Sequence, residues 1–428
     1  MREISCHFDK IEQFKEVPPM NTKKVVSFAA ASAVMAMAVG IAPATAQEPA
    51  VLRIYSSFPL TGSAGPSSTA MVNAINMAIE QKTKGGLVCD GKFKIDYKSL
   101  DDATAAAGKW DAAKEQENAN IAVADKDTIA YIGTLNSGAA KVSIPILNAA
   151  NLVMVSPANT YPGLTKGPES GAEANEPGIY YSKGPQNYAR VVPADDIQGA
   201  VGAKWAKSLG AKSVYILDDT ELYGKGLANV FEKTAKEIGL KVLGRDGIDG
   251  KAADYKALAT KIGGLKPSLI YFGGITQNNP GQILKDLRAA GVKSLFMGAD
   301  GIFDEAFIEA AGADIANGVL ATFGGTPEKS LPAAGKKFLA DYKAKYNIRP
   351  EGYAIYAYEA FSVVLNAITK VCKADRAAVR DAVMGTKNFK GVLGTWSFGP
   401  TGDTTLTGMI GQRVVKGAWV ETGALNFK

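Results

Sequence analysis

The residues of this chain that could do chemistry sit where apolar runs end. After the run 128–132 comes Gly133-Thr134-Leu135-Asn136-Ser137-Gly138, and a helical pattern follows. Ser137 reads as the helix N-cap, and the free N–H groups of a helix start attract an anion. After the run 152–155 comes Ser156-Pro157-Ala158-Asn159-Thr160, where Thr160 adds a hydroxyl and the irregular backbone adds donors. Together the two turns make a cradle for a carboxylate, although each alone is also ordinary capping and turn chemistry. A third run ends in Gly298-Ala299-Asp300-Gly301. Asp300 there could accept hydrogen bonds from a ligand ammonium, or serve only as a turn or N-cap residue. A fourth ends in Asp218-Asp219-Thr220-Glu221-Leu222-Tyr223-Gly224-Lys225-Gly226. Gly224 and Gly226 match half of a dinucleotide fingerprint, but Asn229 stands where the third glycine belongs, so a nucleotide reading is rejected.

Other chemistries are excluded by what the chain lacks. Its one histidine is His7, within a segment read as removed. Residues 20–46 have the form of a secretory signal peptide: Met20, the basic pair Lys23 and Lys24, an apolar stretch 25–42, and the small-residue motif Ala44-Thr45-Ala46. The mature chain is expected to begin at Gln47 and to reside in the periplasm. Residues 1–19 are charged and mixed in sign, and read as a leader that follows from a mis-assigned start, with Met20 the true one. The alternative is a short membrane anchor with a cytoplasmic tail. No Cys follows the apolar stretch, which leaves no site for a lipid anchor. Without histidine there is no Ser-His-Asp or Cys-His arrangement and no His-ligated metal. No metal, cofactor or catalytic constellation is therefore expected. Cys6 leaves with the leader, and Cys89 and Cys372 remain. A disulfide between them suits an oxidising compartment; two independent thiols are the alternative. The net charge is +6 over the whole chain and falls by one without the leader. There is no basic run interleaved with aromatics, so no nucleic-acid partner is expected.

The elements that must position these residues alternate. Strands are predicted at 51–58, 93–100, 128–132 and 152–155, with helices at 71–82, 103–124 and 141–150 between them. The region 157–193 breaks the pattern with six prolines, many glycines and Glu169, Glu173 and Glu176. Loops of that length in compact domains are functional or connect domains. Alternation resumes with helices at 200–209, 226–238, 255–262 and 283–290 and strands at 213–217, 241–243, 269–272, 295–297 and 319–323. Helices at 333–346 and 353–371 follow, then short strands and turns after Gly391. The fold class is α/β, with parallel strands joined by helices. Some 380 residues remain after the leader, roughly enough for two domains with their own cores.

The ordered set Pro59-Leu60-Thr61-Gly62, Ser156-Pro157-Ala158, Tyr223-Gly224-Lys225-Gly226 and Phe296-Met297-Gly298-Ala299-Asp300-Gly301 resembles periplasmic solute-binding proteins of the leucine/isoleucine/valine-binding family. The resemblance runs from about residue 50 onward; no single motif is specific, but their order is. It implies a type I periplasmic-binding fold, with two doubly wound parallel-sheet lobes joined by a three-segment hinge. Lobe one is expected at 51–191 plus 323–406, and lobe two at 192–322 plus 407–428. It also implies a ligand set. Ser137, Ala158 and Thr160 match the family's carboxylate-binding positions. Asp300 matches its ammonium-binding acid, one methylene shorter than the usual Glu. Tyr223 matches a cleft-lining tyrosine, and Ile275 and Thr276 stand where another tyrosine is usual. Gly65-Pro66-Ser67-Ser68 replaces a tryptophan of the leucine binders, and 164–188 is longer than in the family's best-known members. These departures fall on the parts that hold the ligand side chain. The implied role is a monomeric, non-enzymatic binder that hands an amino acid, branched-chain or related, to the membrane permease of an ABC importer. The alternative is a same-fold binder or sensor of a non-amino-acid molecule such as an amide, aromatic acid or short-chain carboxylate.

Overall fold

The computed structural model describes residues 48–427. The leader and the signal peptide inferred above lie outside the described residues.

Two sheets organise the chain. The first runs, in spatial order, Leu87–Val88, Phe93–Asp101, Ala50–Phe58, Thr128–Gly133, Val153–Ser156, Tyr188–Arg190. Every pairing is parallel except that of the two-residue edge Leu87–Val88. Thr128–Gly133 and Val153–Ser156 are buried at every position, as parallel strands covered on both faces must be. Helices Gly65–Lys82, Ala354–Val371 and Arg376–Met384 fill one face through Met71, Ile75, Phe361, Val364 and Val379. Ala112–Ala124 and Ser137–Ala149 fill the other through Ala119, Ala122, Ile144 and Leu147.

The second sheet runs Lys241–Gly247, Ser213–Asp218, Leu269–Gly273, Leu295–Gly298, Leu320–Gly324, all parallel. The antiparallel strands Met409–Val415 and Ala418–Ala424 complete it. Asp195–Ser208 and Leu222–Glu237 cover one face, and Lys256–Leu265, Pro280–Ala289 and Glu305–Ala311 the other. In both sheets the second long strand lies on one side of the first and the later strands on the opposite side. That reversal is the topological switch point beside which open α/β sheets bind ligands.

The chain passes between the sheets three times: after Arg190, after Gly324 and ahead of Met409. The passages are laced together. Arg190 N–H donates to Gly402 O at 3.0 Å, Val191 N–H to Ser156 O at 3.1 Å, and Gly325 N–H to Gly408 O at 2.8 Å. The Arg190 side chain is fully buried and pairs with Asp403 at 2.7 Å. Its guanidinium also donates to Asn159 O (3.1 Å) and Tyr161 O (2.8 Å).

The structure corrects three readings. The helix expected over 103–124 begins only at Ala112. Ahead of it Ala103–Thr104 pairs with Lys109–Trp110 in a small antiparallel hairpin. Gly108 in that hairpin has φ +67°, where a helix cannot continue, and Asp111 caps the helix through Ala113 N and Lys114 N. Second, the break at 157–193 holds three short 3₁₀ turns and the strand Tyr188–Arg190. Third, Glu305–Ala311 and Arg376–Met384 are helices that the periodicity did not reveal.

Cys89 and Cys372 form a disulfide, with Cα atoms 5.8 Å apart and 283 residues between them in sequence. It ties the turn before Phe93–Asp101 to the end of Ala354–Val371. Closing so long a loop restricts the unfolded chain, so reduction is expected to cost about 2–4 kcal/mol. Urea unfolding with and without dithiothreitol measures this; coincident curves would show that the bridge adds nothing to stability.

Candidate functional site

The carboxyl ends of the two sheets' strands meet across a cleft. It holds about 540 Å³ of atom-free space, its mouth included. Four of the sequence-derived residues line it: Ser137, Ala158, Tyr223 and Asp300.

The first wall is built from the two turns singled out in the sequence, and they form one hydrogen-bonded unit. Asn159 joins them. Its Nδ2 donates to Thr134 O and Leu135 O, both at 3.0 Å, and its Oδ1 accepts from Thr134 N–H at 3.3 Å. Ser156 Oγ donates to Thr134 O at 3.1 Å and accepts from the N–H groups of Ala158 (3.1 Å) and Asn159 (2.8 Å). The turn is thus fixed from outside the helix, which changes the part assigned to Ser137. Asn136, extended at φ −88° and ψ 131°, occupies the N-cap position, and Ser137 is the first helical residue. Freed from capping, Ser137 Oγ accepts from Tyr161 N–H at 3.3 Å. The first-turn N–H groups of Ser137 and Gly138 have no carbonyl partner within the helix, so this end of the cleft can receive an anion. Thr160 sits behind this wall, buried, and does not line the cleft. Its carbonyl accepts from Asp195 N–H at 2.8 Å.

The opposite wall is built around Asp300, which follows the strand Leu295–Gly298. Its carboxylate gathers three donors from distant elements. Oδ1 accepts from Gln198 Nε2 at 2.7 Å and Tyr223 OH at 2.9 Å, and Oδ2 accepts from Tyr353 OH. Gly301 N–H donates to Tyr223 OH at 3.0 Å, which turns the phenol proton toward Asp300. Only glycine fits at 301, because a Cβ would come within 2.5 Å of Gly274 O. Burial pushes the Asp300 carboxyl above its usual range, against the pull of the hydrogen bonds from Tyr353, Tyr223 and Gln198. Asp195 lies beside it, fully buried, and neither of its carboxylate oxygens has a hydrogen-bond partner in the protein. Burial and the charge of Asp300 push Asp195 well above the carboxylate range. Among the described residues no Lys or Arg lines the cleft. A buried carboxylate whose three donors are all neutral can receive a cation or further N–H groups.

Thr276 is not among the lining residues. Its hydroxyl is used on Asp304 Oδ1 at 3.0 Å and Gly301 O at 3.3 Å. Asp304 does line the cleft, caps Glu305–Ala311 through Phe307 N–H at 2.7 Å, and is pushed by burial up to about 6. The remaining lining mixes the apolar and aromatic side chains of Leu135, Ile275, Phe303 and Tyr353 with the polar ones of Ser67, Asn136 and Gln277. Sequence reasoning missed Asn159, Gln198 and Tyr353. Asn159 lay inside a quoted turn, and Gln198 and Tyr353 lie in helical stretches with nothing local to mark them.

Among curated proteins, a Leu/Ile/Val-binding protein of Rhizobium johnstonii is 30% identical over 349 residues, 81% of this chain and 87% of the relative. A leucine-, isoleucine-, valine-, threonine- and alanine-binding protein of Pseudomonas aeruginosa is 27% identical, covering 82% of this chain and 87% of the relative. Among solved structures, a leucine-binding protein of Thermotoga maritima superposes with a TM-score of 0.76 at 25% identity, covering 88% of this chain and 99% of the other. A solute-binding protein of R. palustris in complex with benzoate shares the fold, with a TM-score of 0.71 at 17% identity over 88% and 96% of the two chains. The periplasmic binding protein family model matches residues 53–418. Two switch-point sheets that face each other across a polar cleft, matched over nearly the whole described chain, place this protein in the periplasmic binding protein family.

Proposed function

We propose that this protein captures an amino acid, of branched-chain type or closely related, and delivers it to the membrane permease of an ABC importer. The observation that carries the reading is Asp300 with its three donors, facing an anion-receptive helix start across one cleft. In this reading the ligand carboxylate meets the first turn of Ser137–Ala149 and the Ala158 turn. Thr160 joins that turn from behind once the ligand is seated, and Thr276 acts on the ligand through Asp304. The ammonium meets Asp300, with Tyr223 directing it. The aliphatic side chain lies against Leu135, Ile275 and Phe303. The lobes are 51–191 with 323–406 and 192–322 with 407–428, save that Phe323 and Gly324 still pair with the second sheet, and closure about the three passages buries the ligand. Residues 20–46 export the chain to the periplasm. Among the described residues no helix is long and apolar enough to cross a membrane. The protein acts as a monomer and turns nothing over.

An aromatic carboxylate, such as the benzoate held by one fold relative, would satisfy the anion end and the aromatic wall. It would leave Asp300 without a cation, which favours the amino acid. Thermal unfolding of the mature protein against L-leucine, L-isoleucine, L-valine, aliphatic amides and benzoate tests the choice, since a ligand that binds only the native state raises the midpoint. A shift with benzoate and none with any amino acid would overturn the reading.

A further inference from the structure

The hairpin Ala103–Thr104 with Lys109–Trp110 has no part in the ligand contacts above, yet it reaches from the first sheet to the second. Lys109 Nζ donates to Glu221, which follows the strand Ser213–Asp218, and to Asn278 Oδ1 at 2.6 Å. Trp110 Nε1 donates to the other Glu221 oxygen at 3.0 Å. Asn278 Nδ2 in turn donates to Glu221 at 2.8 Å and to Asp219 at 2.9 Å. Asp219 also accepts from Ile275 N–H at 3.1 Å, and Ile275 lines the cleft. At its root the hairpin lies on the other wall. A Cβ at Gly138 would come within 2.5 Å of the Trp110 ring, so the indole rests on the first turn of the helix that begins at Ser137.

We propose that Lys109 and Trp110 form a latch on Glu221 and Asn278 that holds the cleft closed, making these four positioning residues for ligand retention. The inference rests on the closure described under the proposed function. The bland alternative is an ordinary surface ion pair, worth little. Three features argue against it. The Lys109 and Glu221 side chains are only 23% and 20% exposed. The Glu221 carboxylate takes donors on both oxygens from the opposite sheet. The network continues through Asn278 and Asp219 into the cleft wall. By contrast Lys225–Glu173, which also bridges the two halves, is 56% and 63% exposed at 3.8 Å and serves as the control. Partly shielded pairs of this kind act chiefly on the dissociation rate.

The test uses the mature protein with spin labels at the exposed positions Glu117 and Lys251, one carried by each sheet's layers. In the ligand-free protein, Lys109→Met is expected to lower the ratio of short to long label distances about tenfold, while Lys109→Arg and Glu173→Gln leave it unchanged. In stopped-flow experiments with L-leucine as the probe, Lys109→Met is expected to raise the dissociation rate by a similar factor. An unchanged distance ratio in Lys109→Met would overturn the latch. If the wild type fails to bind L-leucine, the branched-chain reading falls, and the ligand-free distances decide the latch by themselves.

Discussion

L-Leucine should bind the Asp300→Asn protein at least tenfold more weakly than the wild type, while 4-methylpentanoate, the same molecule without its ammonium, should bind both alike. Asn keeps the shape of Asp and can keep its network. One amide oxygen accepts from Gln198 and Tyr223, whose phenol proton is aimed by Gly301 N–H, and the new NH₂ group faces the Tyr353 hydroxyl, which can accept. The variant loses the negative charge and little else. A charge-assisted hydrogen bond in a buried cleft is worth about 1.5–3 kcal/mol, which is roughly a ten- to hundredfold change in Kd. Calorimetry with both ligands reads the difference. Equal weakening of the two, or of neither, would remove Asp300 from the ammonium role. Thermal stability should hold or rise, because the substitution takes an unpaired charge out of the interior.

The largest expected effect on stability comes from Arg190→Met. Arg190 is fully buried and carries the ion pair with Asp403 together with hydrogen bonds to Asn159 O, Tyr161 O and Thr165 Oγ1. Methionine fills much of the volume but leaves two carbonyls without their donor and leaves the Asp403 carboxylate, which keeps the hydroxyls of Thr165 and Thr401, without its cation. Removing one partner of a buried pair costs about 3–5 kcal/mol. Adding Asp403→Asn to Arg190→Met should recover part of the loss, since the stranded charge goes with it. Urea unfolding of the single and double variants measures both. A loss below roughly 1 kcal/mol, the range of surface pairs, would mean that the pair is solvated in solution. Tyr161 and Asn159 belong to the turn that supports Ser137, so Arg190 connects the anion-receptive wall to the passage at 402–408.

The long strands were legible because each is a short apolar run closed by a turn, and the site residues at their ends followed from the rule that α/β ligands sit there. Ser137, Ala158, Tyr223 and Asp300 came into one cleft for that reason. The alanine-rich stretch 103–124 misled because alanine favours a helix at every position and marks no boundary. The boundary lies in Gly108, which takes a left-handed turn, and in Asp111, which caps. Ser137 was misplaced by one residue because Asn159, 22 positions later, fixes the turn at Thr134 and Leu135, so that Asn136 takes the cap position without a side-chain hydrogen bond. Gln198 and Tyr353 were illegible for a different reason. Gln198 lies two residues ahead of the expected helix 200–209 and Tyr353 stands at the N-cap of Ala354–Val371, with nothing local to mark either, and only the threefold passage of the chain carries them to Asp300.

That interlaced path also governs the order in which the protein can be assembled. All the strands of the first sheet precede residue 191, yet two of the three helices covering one of its faces are Ala354–Val371 and Arg376–Met384. The strand Leu320–Gly324 stays an open edge until Met409–Val415 pairs with it. The core beneath those late helices cannot close from a contiguous stretch of chain, so its contacts are far apart in sequence, and such contacts form slowly. A growing chain of this design leaves one face of its first sheet incompletely covered until nearly all of it has been made. The two halves then finish folding together, around the three passages of the chain between them.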